Sequence, residues 1–140
     1  MRTKLIALAA FSILFLASCK KDNNDTETKT EIVTKSSWKL DTYGVDTNGD
    51  LVLAGNEIEI RDCDRDDVIT FSASGTANFN SGADNCGSPV YNYQDTWTFH
   101  DNETVFVYKG SRMRIINLTS TKLELHSGGP VSTYIVILKK

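Results

Sequence analysis

Hydrophobic and polar residues alternate along most of the chain after residue 31, in short runs separated by turn residues. Trp38 and Leu40 share one face of SSWKLDTYGV (36–45), Ile69, Phe71 and Ala73 one face of DVITFSA (67–73), and Ala77 and Phe79 one face of GTANFN (75–80). In DTWTFHD (95–101), Trp97 and Phe99 oppose Thr96, Thr98 and His100, and in TKLELHS (121–127), Leu123 and Leu125 oppose Lys122, Glu124 and His126. A period of two is that of a strand with one buried face, so His126 is expected to face solvent. ETVFVYKG (103–110) is apolar on both sides and reads as a central strand, and SRMRIINL (111–118) and STYIVILKK (132–140) complete the set. Ser74-Gly75 and Gly110-Ser111 mark tight turns, and no long helical period interrupts the pattern. Strands joined mostly by short links predict an all-β fold, a small up-and-down antiparallel barrel of about eight strands, because closure removes exposed edges. Asp46–Asp66 and Gly82–Asp95 fall outside the strands. The first is expected to hold a short helical turn around Asn56–Arg61, and the second is a long loop carrying Cys86.

The N-terminus breaks this pattern. Arg2 and Lys4 precede an apolar run, Leu5–Ala17, broken only by Ser12. As a helix it would reach roughly 20 Å, short of the ~30 Å hydrocarbon core. A basic start, a short apolar centre and small residues after it describe a secretory signal. Its end, Leu16-Ala17-Ser18-Cys19, resembles the bacterial lipobox. That resemblance implies cleavage before Cys19, acylation of its thiol and of the new N-terminus, and a membrane partner reached through lipid. Two or more acyl chains make such an anchor stable. Lys20–Glu31, KKDNNDTETKTE, has no apolar residue and is expected to be a disordered tether. The expected organisation is therefore a signal at 1–18, a lipidated cysteine and tether at 19–31, and one barrel domain at 32–140. The charged KKDNND after the cysteine is similar to export signals of some Bacteroidota lipoproteins, which implies an outer-membrane location with display on the cell surface.

Charge and cysteine count narrow the picture further. Of 15 basic side chains, Arg2 and Lys4 leave with the signal, so 13 face 18 acidic ones and the net charge becomes −5. That argues against nucleic acid as a partner. Of three cysteines, Cys19 is assigned to lipid, which leaves Cys63 and Cys86 in an oxidising compartment. They are expected to form a disulfide that pins the Cys86 loop across one end of the barrel. The rival, two thiols serving a metal, lacks a histidine or cysteine cluster around them.

Candidate chemistry is sparse. Asp46, Asn48, Asp50 and Glu57 of DTNGDLVLAGNE fall at positions 1, 3, 5 and 12 of a calcium loop. Leu51 stands where that loop needs glycine, and a bulky residue is strained at positive φ. An ordinary turn without tight calcium binding is the expectation. Asp62, Asp64, Asp66 and Asp67 cluster around Cys63 and Arg65. They are expected to cap turns or pair with Arg61 and Arg65 rather than to hold a metal. His100 and His126 sit in different strands, and no G-x-S-x-G, H-E-x-x-H or phosphate-loop motif occurs, so neither an enzyme nor a bound cofactor is expected.

CDRDDVITFSASGTANFNSGADNC, followed by DTWTF and RIINLTSTKLEL, resembles the lipocalin-like domain of Bacteroidota lipoproteins. Trp38, Leu40, Cys63, Asp66, Asp67, Phe71, Gly75, Thr76, Cys86, Trp97, Ile115, Leu118, Leu123 and Leu125 carry the resemblance. Ser36 stands where true lipocalins have the glycine of Gly-x-Trp. The resemblance implies a lipocalin-like barrel that binds a small, largely apolar ligand in its mouth. The alternative is a surface-displayed structural or interaction module, meeting another envelope protein, with a filled barrel. For a ligand, the expectation is a shallow pocket at one open end near the Cys86 loop. Trp38 would lie at its closed end, and Trp97 and Tyr108 in its wall.

Overall fold

Each alternating run has one apolar face to bury, and a single sheet buries all of them only by curling onto itself. The computed structural model describes residues 27–129 and 131–140 and has this form: eight strands, antiparallel and in chain order, in a closed barrel. They are β1 (Trp38–Asp46), β2 (Val68–Phe71), β3 (Thr76–Asn80), β4 (Asn92–His100), β5 (Val105–Tyr108), β6 (Ser111–Leu118), β7 (Lys122–Gly129) and β8 (Ser132–Lys139). The β1–β8 ladder, from Lys39↔Lys139 to Asp46↔Thr133, closes the wall. β1 meets β2 only at Trp38↔Ile69 and Lys39↔Val68. Further along β1, a bridge from Gly44 to Ile58 and a bond from the Glu59 N–H to the Tyr43 carbonyl (2.9 Å) continue that side of the wall. A register shift between Ile115 and Asn117 in β6 keeps Ile115 and Leu118 packed on the core and turns Ile116 outward.

Connections alternate between the two ends. The β2–β3, β4–β5 and β6–β7 turns gather at one end with a short helix, α1 (Lys29–Thr34). α1 starts at Thr28 through a capping box in which the Thr28 hydroxyl accepts from the Glu31 N–H and the Glu31 carboxylate accepts from the Thr28 N–H. α1 therefore starts inside the segment expected to be tether. Thr28 and Glu31 read as polar tether residues in the sequence, and together they are a helix start. α1 buries Val33, and the Val33 carbonyl accepts from Trp38 Nε1 at 2.8 Å. Lys140 lies over the Trp38 ring and donates to the Ile32 carbonyl, so α1 and the last residue seal this end together. Cys19 lies outside the described residues.

The long connections lie at the other end. Within β1–β2, 3-10 turns form at Gly55–Glu57, at the start of the helical turn expected around Asn56–Arg61, and at Asp62–Asp64, just beyond it. β4 begins at Asn92, earlier than expected, because Asn92–Asp95 continue the ladder with β3 (Asn80↔Asn92 to Ala77↔Asp95). Cys63 and Cys86 form a disulfide, Cα–Cα 5.5 Å, tying the β1–β2 connection to the β3–β4 loop.

His126 is the clearest departure from the alternation. It belongs to the outward row of β7 yet is only 1 % exposed, and Thr133 and Ile135 on β8 are buried on the same side. The β1–β2 excursion folds back along this face: a Cβ on Gly44 would lie 1.9 Å from the Glu57 carbonyl oxygen. Gly49 and Leu51 border one groove with Arg114, Gly128 and Thr133. Here outward means beneath a loop, and the polar side chains on this face are bonded only in part, since His126 Nδ1 and the Thr42 hydroxyl have no partner among the described residues. His126 Nε2 meets Glu124 at 3.0 Å, and Glu124 also meets Lys122.

Candidate functional site

The two halves of the interior are filled differently. Toward the α1 end, Trp97 stacks on Phe106 with centroids 5.5 Å apart, and Phe71 and Phe99 pack edge-on against them. Trp97 Nε1 donates to the Ser72 carbonyl at 2.9 Å, so the buried ring has its one polar group satisfied. Toward the opposite end the filling stops, leaving a cavity of about 320 Å³. Ile69, Phe71, Phe106 and Leu125 form its floor, and Leu40, Met113, Val136 and Leu138 its walls. Tyr43, Tyr108, Tyr134, Lys109, Ser111 and Ser127 surround its mouth.

The polar rim follows from sequence position. Tyr108-Lys109-Gly110-Ser111 is the tight β5–β6 turn, with φ positive at Lys109 (53°) and Gly110 (76°), which places Lys109 at the lip of the barrel. Its ammonium lies 4.2 Å above the Tyr93 ring and donates to the Tyr93 hydroxyl at 3.1 Å. The Tyr93 and Tyr108 hydroxyls meet at 3.4 Å. Burial, then the Tyr93 hydroxyl, pushes the Tyr108 pKa far upward. Burial also raises Tyr43 and Tyr134. All three rings therefore stay neutral, and the Tyr43 hydroxyl donates to Asp64 at 3.4 Å. Tyr91, Phe79 and Tyr93 stack beside the mouth, with Phe79–Tyr93 centroids 4.7 Å apart. A larger depression of about 770 Å³ lies on the outside of β2–β4, along Thr70, Asn78, Asn80, Asn92 and Gln94. It is open, and two of its carboxamides are bonded, Gln94 donating to Asn78 at 2.8 Å.

Of the expected ligand-contacting residues, Tyr108 lines the cavity. Trp38 lies at the sealed end, 0 % exposed and away from the cavity. Trp97 lies behind Phe71 and Phe106 and does not reach it. The cavity opens at the end that carries the Cys86 loop, but β1 and β5–β8 supply most of its lining and that loop supplies none. Sequence reasoning missed Tyr43, Tyr134 and Lys109. A usable signal was present: all five tyrosines, 43, 91, 93, 108 and 134, fall in the strand halves and loops of the open side.

The acidic segments serve the loops. Arg61 grips Asp64 with two nitrogens, at 2.9 and 2.6 Å, and Arg65 pairs with Asp62. Asp66 accepts from the Ala83 and Asp84 N–H groups, a second tie to the Cys86 loop, and these bonds hold its pKa down. Asp67 is 8 % exposed. Burial, then the neighbouring Asp64 and Asp66, raises its pKa to about 6. Cys63, Asp64 and Cys86 lie together, but the two sulfurs are bonded to each other. In Asp46–Glu57, Leu51 does adopt positive φ (61°), contrary to the steric expectation. Its N–H donates to Asp46 at 2.9 Å, and Asn48 and Gly49 donate to the same carboxylate. Burial alone would raise the Asp46 pKa, but these N–H groups outweigh it and hold it low. Glu57 accepts from the Thr47 N–H and hydroxyl, which closes the loop on itself.

A lipocalin-like domain family matches residues 33–125 of the chain. No curated protein matches it. Among solved structures, a protein from Bacteroides eggerthii described as uncharacterized is similar at 14 % identity, with 75 % of this chain and 98 % of that one covered and a TM-score of 0.46. Bovine odorant binding protein, in complex with a selenium-containing odorant, is similar at 18 % identity, with 81 % and 73 % covered and a TM-score of 0.43.

Proposed function

The chain belongs to the lipocalin-like domain family, and on that premise we propose that it is a lipid-anchored binding protein that holds a small, largely apolar ligand in the open half of its barrel. The observation that carries this reading is the cavity of about 320 Å³, apolar in floor and walls and open at one end. That volume is at the lower edge of what drug-sized ligands occupy, roughly 300 Å³. It matches the liquid volume of about ten water molecules, so the ligand is on the order of ten heavy atoms. Burying that much apolar surface supports weak to moderate affinity rather than tight capture. The Leu16-Ala17-Ser18-Cys19 seam supports lipid on Cys19 and a place in the outer membrane. Protein binding is the second reading. It draws on apolar side chains standing around the same end, Val131 86 % exposed, Val52 60 % and Val90 57 %.

The test is titration of an environment-sensitive apolar probe into the mature chain made without lipid (C19S), beside Val136→Trp, which fills the cavity. Weak saturable binding that Val136→Trp removes supports the ligand reading. Binding unaffected by Val136→Trp, or none at all, leaves the interaction surface. The anchor is tested separately: radiolabelled palmitate should enter the wild type and not Cys19→Ala, and equal labelling of both contradicts it.

A further inference from the structure

Resting on the ligand reading above, we propose that the cavity selects amphipaths with an anionic head, a medium-length aliphatic carboxylate being the simplest, held with the head at Lys109 and the tail on Phe71, Phe106 and Leu125. The distribution of polarity within the cavity carries the inference. Its floor and walls offer no polar side chain, so the body of any occupant is apolar. Every polar side chain that lines it sits at the mouth. Among the described lining residues, Lys109 is the one charged side chain, and it is exposed at the lip where a head group would emerge into water. The tyrosines beside it are neutral donors, because burial pushes their ionisation upward. The rim therefore presents one cation with hydroxyls from Tyr108, Tyr134, Ser111 and Ser127, a set that complements a carboxylate or another acceptor-rich anion.

The acidic groups near the mouth do not reverse this sign. Asp64 is neutralised by Arg61 at 2.6 Å, and Asp66 is bonded to loop N–H groups. Asp95, on β4 near Tyr108, Glu59, beside Tyr43 and Tyr134, and Asp67 stand outside the lining. The position of Lys109 is also set by the fold. Its contact with the Tyr93 ring and hydroxyl holds the ammonium over the aromatic side of the rim, and the tight turn fixes its backbone. A held lysine loses less side-chain entropy on meeting an anion than a free one. About ten heavy atoms fill the available volume, so the tail is near eight to ten carbons, and longer chains leave carbons in water.

The test uses the C19S mature chain and three ligands of one tail length, decanoate, decan-1-ol and decyltrimethylammonium, each titrated calorimetrically below its aggregation concentration. The proposal expects decanoate to bind about fivefold more tightly than decan-1-ol, the yield of one partly exposed ion pair, and the ammonium to bind no better than the alcohol. In Lys109→Asn, which tolerates the positive φ of the turn, the decanoate preference should vanish with alcohol binding unchanged. Lys109→Arg should restore it, and 1 M salt should erase it in the wild type. Equal binding of acid and alcohol, or preference for the ammonium, overturns the anionic-head proposal while leaving an apolar cavity that binds. Failure of all three ligands overturns the cavity reading and this proposal with it. An acid preference that survives in Lys109→Asn shows that another group holds the head and refutes the assignment to Lys109.

Discussion

The two ends of the barrel use aromatic residues in opposite ways. The sealed end holds the two tryptophans with Phe71, Phe99 and Phe106, and each indole N–H is bonded to a backbone carbonyl, of Val33 or of Ser72. The open end holds all five tyrosines, of which Tyr43, Tyr108 and Tyr134 line the mouth. A ring that has no polar group, or whose polar group is bonded inside, fills space and leaves no room, whereas a tyrosine can wall an opening with its body dry and its tip wet. The contrast in residue type thus accompanies a contrast in packing. One half is filled core, and the other encloses an open cavity.

The largest expected effect is at the sealed end. Trp38→Ala removes a fully buried ring and the bond to Val33, and should cost about 3–5 kcal/mol in urea unfolding, whereas Tyr134→Ala at the rim should cost less than about 1 kcal/mol. Comparable losses at both sites would erase the distinction between core and container. Next is the disulfide: replacing Cys63 and Cys86 together by serine should lower stability by about 3.5 kcal/mol on the chain-entropy account. Hydrogen exchange should then rise in the β1–β2 and β3–β4 connections while the Trp38 indole N–H stays protected. Loss of that protection would mean that the two ends do not behave separately.

The smallest effect is electrostatic and sharpens the picture of the open end. Asp67 has a folded-state pKa of about 6, above its ordinary value of 3.8, so the folded state binds its proton more tightly than the unfolded state does. Its charge therefore destabilises the fold fully above pH 6, and the penalty fades as pH falls toward 4. Asp67→Asn should be more stable than wild type at pH 7.5, on the order of 1–2 kcal/mol, with the gap closing near pH 4. A gap of constant size across that range would remove the titration of Asp67 as its cause.

The strand pattern was legible because a period of two with one apolar face has few other solutions, and Trp38, Phe71, Trp97, Leu123 and Leu125 all lie in the core as the alternation requires. The pairing of Cys63 with Cys86 was legible by count. Alternation could not say that the β1–β2 excursion would cover an outward face. His126 was therefore assigned to solvent and is buried, and the neighbouring Gly44, against the Glu57 carbonyl, marks the close approach only once the fold is known. Nor could it locate the cavity. Trp38, Trp97 and Tyr108 are equally inward in sequence. Trp38 lies at the sealed end, and Trp97, although paired with Tyr108, is separated from the cavity by Phe71 and Phe106, a packing that alternation does not encode. The short YKGS turn did carry the rim chemistry, but its weight becomes visible only when Lys109 is seen beside an unfilled interior.

The most direct test of the container claim is a crystal structure of the C19S mature chain soaked with decanoate brominated at its tail end, located by anomalous scattering. The account predicts one bromine peak in the interior near Phe71, Phe106 and Leu125, and none around Trp38 and Trp97. Bromine found only on the outer face of β2–β4, or an interior closed by side chains with no peak, would contradict it.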